Sequence, residues 1–224
     1  MASNDKPQRS EYKVTVFPRE EDAVYAEVGR QGVQPKPRTV YFYDTPDLAL
    51  ASEHLFLRAR VTGKDKRDST VKLRPAPNSK PAKWREAGGD VRFERDVVGD
   101  RSVLSLKLDH TPDTGKLAKS PGDLFGAAQK RLVTVKWKDV RALGPIRARV
   151  WALEYETEPT EVSVEEWDLD GRVHFIELSF KVEAGQEGPA EQGFHALLDR
   201  LGIGHSGDRD PKTTRVLEYF AARL

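Results

Sequence analysis

The chain contains no cysteine, which excludes disulfides, a thiolate nucleophile and zinc sites built on sulfur. That usage suits a reducing compartment, and the expected location is cytoplasmic. No apolar run approaches the roughly 20 residues of a membrane-spanning helix. The polar start, MASNDKPQRS, lacks the apolar centre of a signal peptide. Neither sign of charge is in excess. Lys and Arg number 37 against 36 Asp and Glu, a formal net charge of +1, which argues against nucleic acid as a partner of the whole surface. There is no GxSxG, no P-loop and no metal-like spacing among the five His. What is abundant is charge itself, 33% of 224 residues. Any charged site must therefore arise by sorting charges onto one face.

Alternation and turn chemistry predict an α+β chain: an antiparallel β-barrel or tunnel with flanking helices. Residues 1–9 read as a flexible tail and residues 10–224 as a single domain. Strands are expected at Glu11 to Phe17, Arg38 to Tyr43, Phe56 to Thr62, Thr70 to Leu73 and Val91 to Val98. EEDAVYAEVGRQG predicts a short helix with acidic residues in its first turn. GKDKRDS and residues 75–90 read as loops. RSVLSLKL fits a helix, DLFGAAQKRL a helix capped by Asp123, and LVTVKWKDV and PIRARVWALEY fit strands. Asp170-Gly171, between alternating runs, is a hairpin signal. PAEQGFHALLDRLG and PKTTRVLEYFAARL are expected as helices.

The strands carry charge at spacing two, and residues i and i+2 of a strand share a face. Glu11 and Lys13, Arg58 and Arg60, Lys72 and Arg74, Glu94 and Asp96, and Arg147 and Arg149 follow this pattern. So do Glu177, Ser179 and Lys181, while apolar residues occupy the opposite faces. A solvated face accounts for any one pair. Repetition over many strands favours a closed sheet with a polar interior. There, basic strands can hold phosphates, since Arg offers a planar fork and Lys a point charge. Acidic strands can hold a hard divalent cation such as Mg²⁺ or Mn²⁺. An open sheet whose charged face meets a protein partner is the blander alternative.

An ordered set of short motifs resembles the CYTH superfamily, the triphosphate tunnel metalloenzymes. These are YDTPDLAL at Tyr43 to Leu50, LFLRAR at Leu55 to Arg60, VKLR at Val71 to Arg74 and FERD at Phe93 to Asp96. DGRVHFIEL at Asp170 to Leu178 and PKTTR at Pro211 to Arg215 continue the order. The resemblance implies a tunnel in which Lys13, Arg58, Arg60, Lys72, Arg74 and Arg149 bind phosphates, with Arg147 as a neighbour. Lys212 and Arg215 would lie near its mouth. It implies acidic positions at Glu11, Glu94 and Glu177, with Asp96 beside them, that hold metal or orient water. Two departures halve the acidic pairs. The ExExK motif reads RSEYK, with Arg9 in place of its first Glu, and Ser179 takes the second Glu position of the late pair.

The expected function is metal-dependent hydrolysis of a triphosphate. Inorganic triphosphate is the first substrate, because no feature for recognising a base stands out; thiamine and nucleoside triphosphates stay open. The rival is a non-catalytic polyphosphate-binding module with an eroded metal site. Trp84, Trp137, Trp151 and Trp167 are scattered and read as packing rather than base stacking. His174 reads as ordinary packing, and His54, His110, His195 and His205 have weaker claims still.

Overall fold

The computed structural model describes residues 6–118, 121–169, 171–205 and 212–223, without the side chain of Lys212. The strands are β1 (Arg9–Val16), β2 (Lys36–Asp44), β3 (Leu55–Thr62), β4 (Lys66–Leu73) and β5 (Val91–Val98). β6 (Arg101–His110), β7 (Arg141–Glu154), β8 (Glu161–Leu169) and β9 (Val173–Glu183) follow. They close into a barrel in the order β1-β5-β6-β4-β3-β2-β7-β8-β9. β9 pairs back onto β1, and among the described residues only the β1–β5 pair is parallel. The helices are α1 (Glu21–Gln31), α2 (Ala49–Ser52), α3 (Ala82–Glu86), α4 (Pro121–Leu124), α5 (Ala127–Leu132), α6 (Glu187–Leu201) and α7 (Lys212–Ala221). Among the described residues no helix is long and apolar enough to cross a membrane.

Alternation explains the architecture. Tyr12, Val14 and Val16 of β1 face outward with Leu178 and Phe180 of β9, and α1 and α6 cover them with Val24, Val28, Phe194 and Leu198. Burying each such side chain contributes about 1.5–3 kcal/mol. On the other flank Leu57, Val71, Phe93 and Leu106 pack under Trp84, Leu124 and Phe125. A third cluster joins Val216 and Leu217 of α7 to Val40, Ile146 and Trp167, so α7 covers one end of the barrel.

Several sequence expectations change. β1 begins at Arg9, inside the stretch read as tail. Residues 101–108 are strand, not helix: Leu104, Leu106 and Leu108 alternate with Ser105 and Lys107 at a period of two. β4 begins at Lys66, so part of the expected loop is paired with β3. Residues 133–140 form no strand but a short 3₁₀ turn at Trp137–Asp139, and Lys136 and Lys138 are exposed. The expected helix at Asp123 is two short ones. The second starts from Gly126, whose N–H donates to Gln129 Oε1 at 3.0 Å. Of the expected hairpin turn, Asp170 lies outside the described residues.

β7 carries the change that matters most for function. Val40 pairs with Ile146 and Phe42 with Leu143, so Tyr41 of β2 stands against both Gly144 and Pro145 of β7. This bulge reverses the alternation beyond it. Ala148 and Val150 then share the inner face with Trp167 and Glu165, and Arg147 and Arg149 point outward. Gly144 sits in the bulge because a Cβ there would lie 2.6 Å from the Tyr41 ring.

Candidate functional site

The inner faces enclose a cavity of about 740 Å³. Nine Lys or Arg and six Glu line it. Three aspartates behind the lining, Asp68, Asp96 and Asp109, pair with lining cations, so the tunnel as a whole is close to neutral. What distinguishes a ligand site here is therefore which charges are left uncompensated.

Most charges are paired. Lys13 Nζ lies 2.9 Å from Glu11 and Lys181 Nζ 3.6 Å from the same carboxylate. Burial pushes Glu11 up, but Lys13, Lys181 and Lys72 outweigh it and hold its carboxyl well below the usual range. Burial likewise works against charged Lys13, yet Glu11, Asp96 and Glu177 hold its ammonium above its ordinary value. Lys72 and Arg74 both reach Asp96 Oδ2, at 2.7 and 3.2 Å. Burial tends to raise Asp96, but these cations and Lys13 keep its carboxyl below its ordinary value. Arg60 pairs with Asp68 at 3.0 Å. Arg38 pairs with Glu165 at 2.6 Å, and Lys107 with Asp109 at 3.0 Å.

Two buried lining groups break this pattern. Arg58 Nε is buried without a hydrogen-bond partner. Burial first, and then the neighbouring Arg60, push Arg58 down to about 10 against the pull of Asp68, Glu165 and Asp109. It stays charged at neutral pH but is poorly compensated. Glu94 is 1% exposed, and neither carboxylate oxygen has a partner. Ser105, directly opposite Glu94 on β6, also has a buried hydroxyl without a partner.

Of the residues expected from sequence, Glu11, Lys13, Arg58, Arg60, Lys72, Arg74, Glu94 and Glu177 all line the cavity. Asp96 sits just behind Lys72 and Arg74. Arg147 and Arg149 do not belong to this set. Arg147 is exposed on the outer face, and Arg149 pairs with Glu166 at 2.6 Å beside Trp151. The bulge in β7 is the physical reason. Arg9, at the position of the motif's first Glu, pairs with Glu183. Arg215 lies over the Phe175 ring at 5.0 Å, and the Lys212 side chain is outside the described residues. His174 faces Glu21 at 3.4 Å, away from the cavity.

Sequence reasoning missed Arg38, Lys107 and Glu165 and placed Lys181 on the charged face without a role; all four line the cavity. Lys107 was hidden by the helical reading of 101–108, although its spacing of two from Asp109 carries the same signal as the other strands. It also passed over Phe42 and Phe56, which line the cavity together with Trp167, a residue that packs in the cluster under α7 as well.

No protein-family profile matches the sequence, and no curated protein matches it. Solved structures do match. One from Hippeastrum, assigned as an adenylyl cyclase and found to have a dominant triphosphatase activity, aligns at 14% identity with a TM-score of 0.64. That alignment covers 95% of this chain and 96% of the other. An assigned adenylate cyclase from Bacillus halodurans aligns at 18% identity and TM-score 0.62, over 93% and 97% of the two chains. A protein from Pyrococcus horikoshii aligns at 16% identity and TM-score 0.54, over 93% and 99%. At these identities the likeness establishes the fold alone: a closed antiparallel-type β-barrel with flanking helices.

Proposed function

We propose that the barrel binds a triphosphate-containing molecule and hydrolyses it with the help of Mg²⁺ or Mn²⁺. The observation that carries this reading is the pair of uncompensated groups in one cavity, Arg58 and Glu94. Leaving a buried charged group without partners costs at least about 1–3 kcal/mol, so both gain when complementary charge enters. A phosphate oxygen satisfies the guanidinium, and a hard cation satisfies the carboxylate. The triphosphatase activity of the Hippeastrum protein, which shares the fold, supports the same chemistry.

Arg58, Lys72 and Arg74 share one stretch of the tunnel and would grip successive phosphates, with Arg60, Lys107 and Lys13 around them. Among the described residues no three carboxylate or imidazole groups converge into a ready-made metal cage. The donor set fits a cation held jointly by Glu94 and the ligand's own phosphate oxygens, with Glu11 and Glu177 as further donors. Such a cation neutralises phosphate charge and lowers the pKa of a bound water. In hydrolysis water adds to the terminal phosphorus, the bridging P–O bond breaks, and diphosphate leaves. Glu94 would orient the water and take its proton, while Arg58 and Lys72 offset the charge of the departing oxygen.

The test is phosphate release from tripolyphosphate with added Mg²⁺ or Mn²⁺, alongside metal-free binding. Arg58→Ala should weaken binding roughly 10- to 100-fold, the value of a hydrogen bond to a charged group. Glu94→Gln should leave metal-free binding within about twofold and abolish metal-dependent release. Binding without release under either metal would remove the hydrolytic step. That outcome would favour the second reading, a polyphosphate-binding module. The ion pairs already occupying Glu11 and Asp96 are the observation on its side.

A further inference from the structure

The cations that neighbour Glu94 in the sheet all serve other carboxylates. Arg9 is its partner across the β1–β5 pair, yet the Arg9 guanidinium turns to Glu183. Arg92 and Asp96 share its face of β5. Arg92 turns to Asp109, and Asp96 receives Lys72 and Arg74. Lys107, two residues beyond Ser105 on the inner face of β6, pairs with Asp109 at 3.0 Å. Arg92 Nε keeps one buried donor without a partner, but it belongs to a guanidinium drawn toward Asp109.

The remaining neighbour is Ser105, which stands directly opposite Glu94 on β6. Ser105 is fully buried and Glu94 is 1% exposed. The Ser105 hydroxyl and both Glu94 oxygens are sealed from solvent and have no hydrogen-bond partner. Facing residues of an antiparallel pair have Cβ atoms about 4.5–5.5 Å apart. A serine hydroxyl and a glutamate carboxylate can meet across that gap by side-chain rotation alone. A buried donor and a buried acceptor left unpaired side by side are less stable than the same two groups joined. Packing gives serine no advantage here, since alanine would fill the position without burying a hydroxyl. Ser105 does not line the cavity, whereas Glu94 does, so the hydroxyl acts on a ligand through Glu94.

We propose that Ser105 is the positioning residue of Glu94. Its hydroxyl donates to one carboxylate oxygen from behind and leaves the other directed at the tunnel. This rests on the role given to Glu94 above. A carboxylate that holds a cation or takes a proton from water works best with its orientation fixed, and a hydrogen bond from outside the site supplies that fixing.

The first test is urea unfolding of the ligand-free protein, comparing the wild type, Ser105→Ala, Glu94→Ala and the double variant. Ser105→Ala should raise the unfolding constant at least about tenfold in the wild-type background, the value of one hydrogen bond to a charged group. Beside Glu94→Ala it should have no effect. A hydroxyl that is truly unpaired gives the opposite sign, so an unchanged or more stable Ser105→Ala protein would overturn the inference. The second test follows tripolyphosphate turnover against Mn²⁺ concentration. Ser105→Ala should raise the half-saturating Mn²⁺ about 10- to 100-fold, with metal-free tripolyphosphate binding within about twofold of the wild type. Ser105→Thr, which keeps the hydroxyl, should recover most of the loss. Lower stability with an unshifted Mn²⁺ dependence would make Ser105 merely structural and overturn its positioning role. A wild-type protein that releases no phosphate would overturn the hydrolytic reading and with it this role, while the unfolding cycle would still report whether Ser105 bonds Glu94.

Discussion

Lys107 is a lining cation whose charge is sensitive to pH just above neutrality. Burial pushes its ammonium down to about 8, and Asp109 offsets this only in part. The unfolded chain holds the proton up to about 10.5. Between those values the folded protein binds less proton than the unfolded one, so this group's contribution to stability rises with pH across the window. Ligand binding runs the other way, since a neutral amine cannot attract phosphate. Tripolyphosphate affinity should fall above pH 8 more steeply in the wild type than in Lys107→Met, by up to about tenfold per pH unit. Titrations of both proteins between pH 7 and 9.5 check this, and the comparison removes the ligand's own protonation. Parallel profiles would mean that Lys107 does not contact the anion.

β7 shows what periodicity can and cannot deliver. The spacing of Arg147 and Arg149 matches that of Arg58 and Arg60, and an uninterrupted strand continuing from Leu143 would have put both arginines inside. One extra residue at the bulge exchanges the faces and leaves Ala148 and Val150 inside. The signal for that exchange is a Gly-Pro pair, which reads equally well as a turn before a strand. Gly144→Ala should destabilise the fold by about 1–3 kcal/mol, because its Cβ would meet the Tyr41 ring at 2.6 Å. Thermal unfolding measures this; no loss would mean that the ring moves freely and does not hold the bulge. β6 failed to be read for a different reason. Its leucines at 104, 106 and 108 dominate a short window in which a buried strand and a helix look alike. The remaining charged pairs were legible because strands β1, β3, β4, β5 and β9 are regular across them.

For the whole molecule, closing the sheet turns a set of ordinary charged faces into one enclosed and nearly neutral chamber. Internal ion pairs stabilise most of its charges, and the residual imbalance is concentrated at Arg58 and Glu94. That arrangement favours a ligand bringing both signs, a polyphosphate with its cation, over a simple anion. The α7 segment closes one end with Val216 and Leu217, placing Thr213 and Thr214 on the lining. The most direct measurement is a crystal structure of the protein soaked with tripolyphosphate and Mn²⁺, with the metal located by its anomalous signal. The account places the phosphates between Arg58, Lys72 and Arg74, with the metal beside Glu94. Phosphates bound instead on the outer face at Arg147 and Arg149, with the tunnel holding only water, would contradict it.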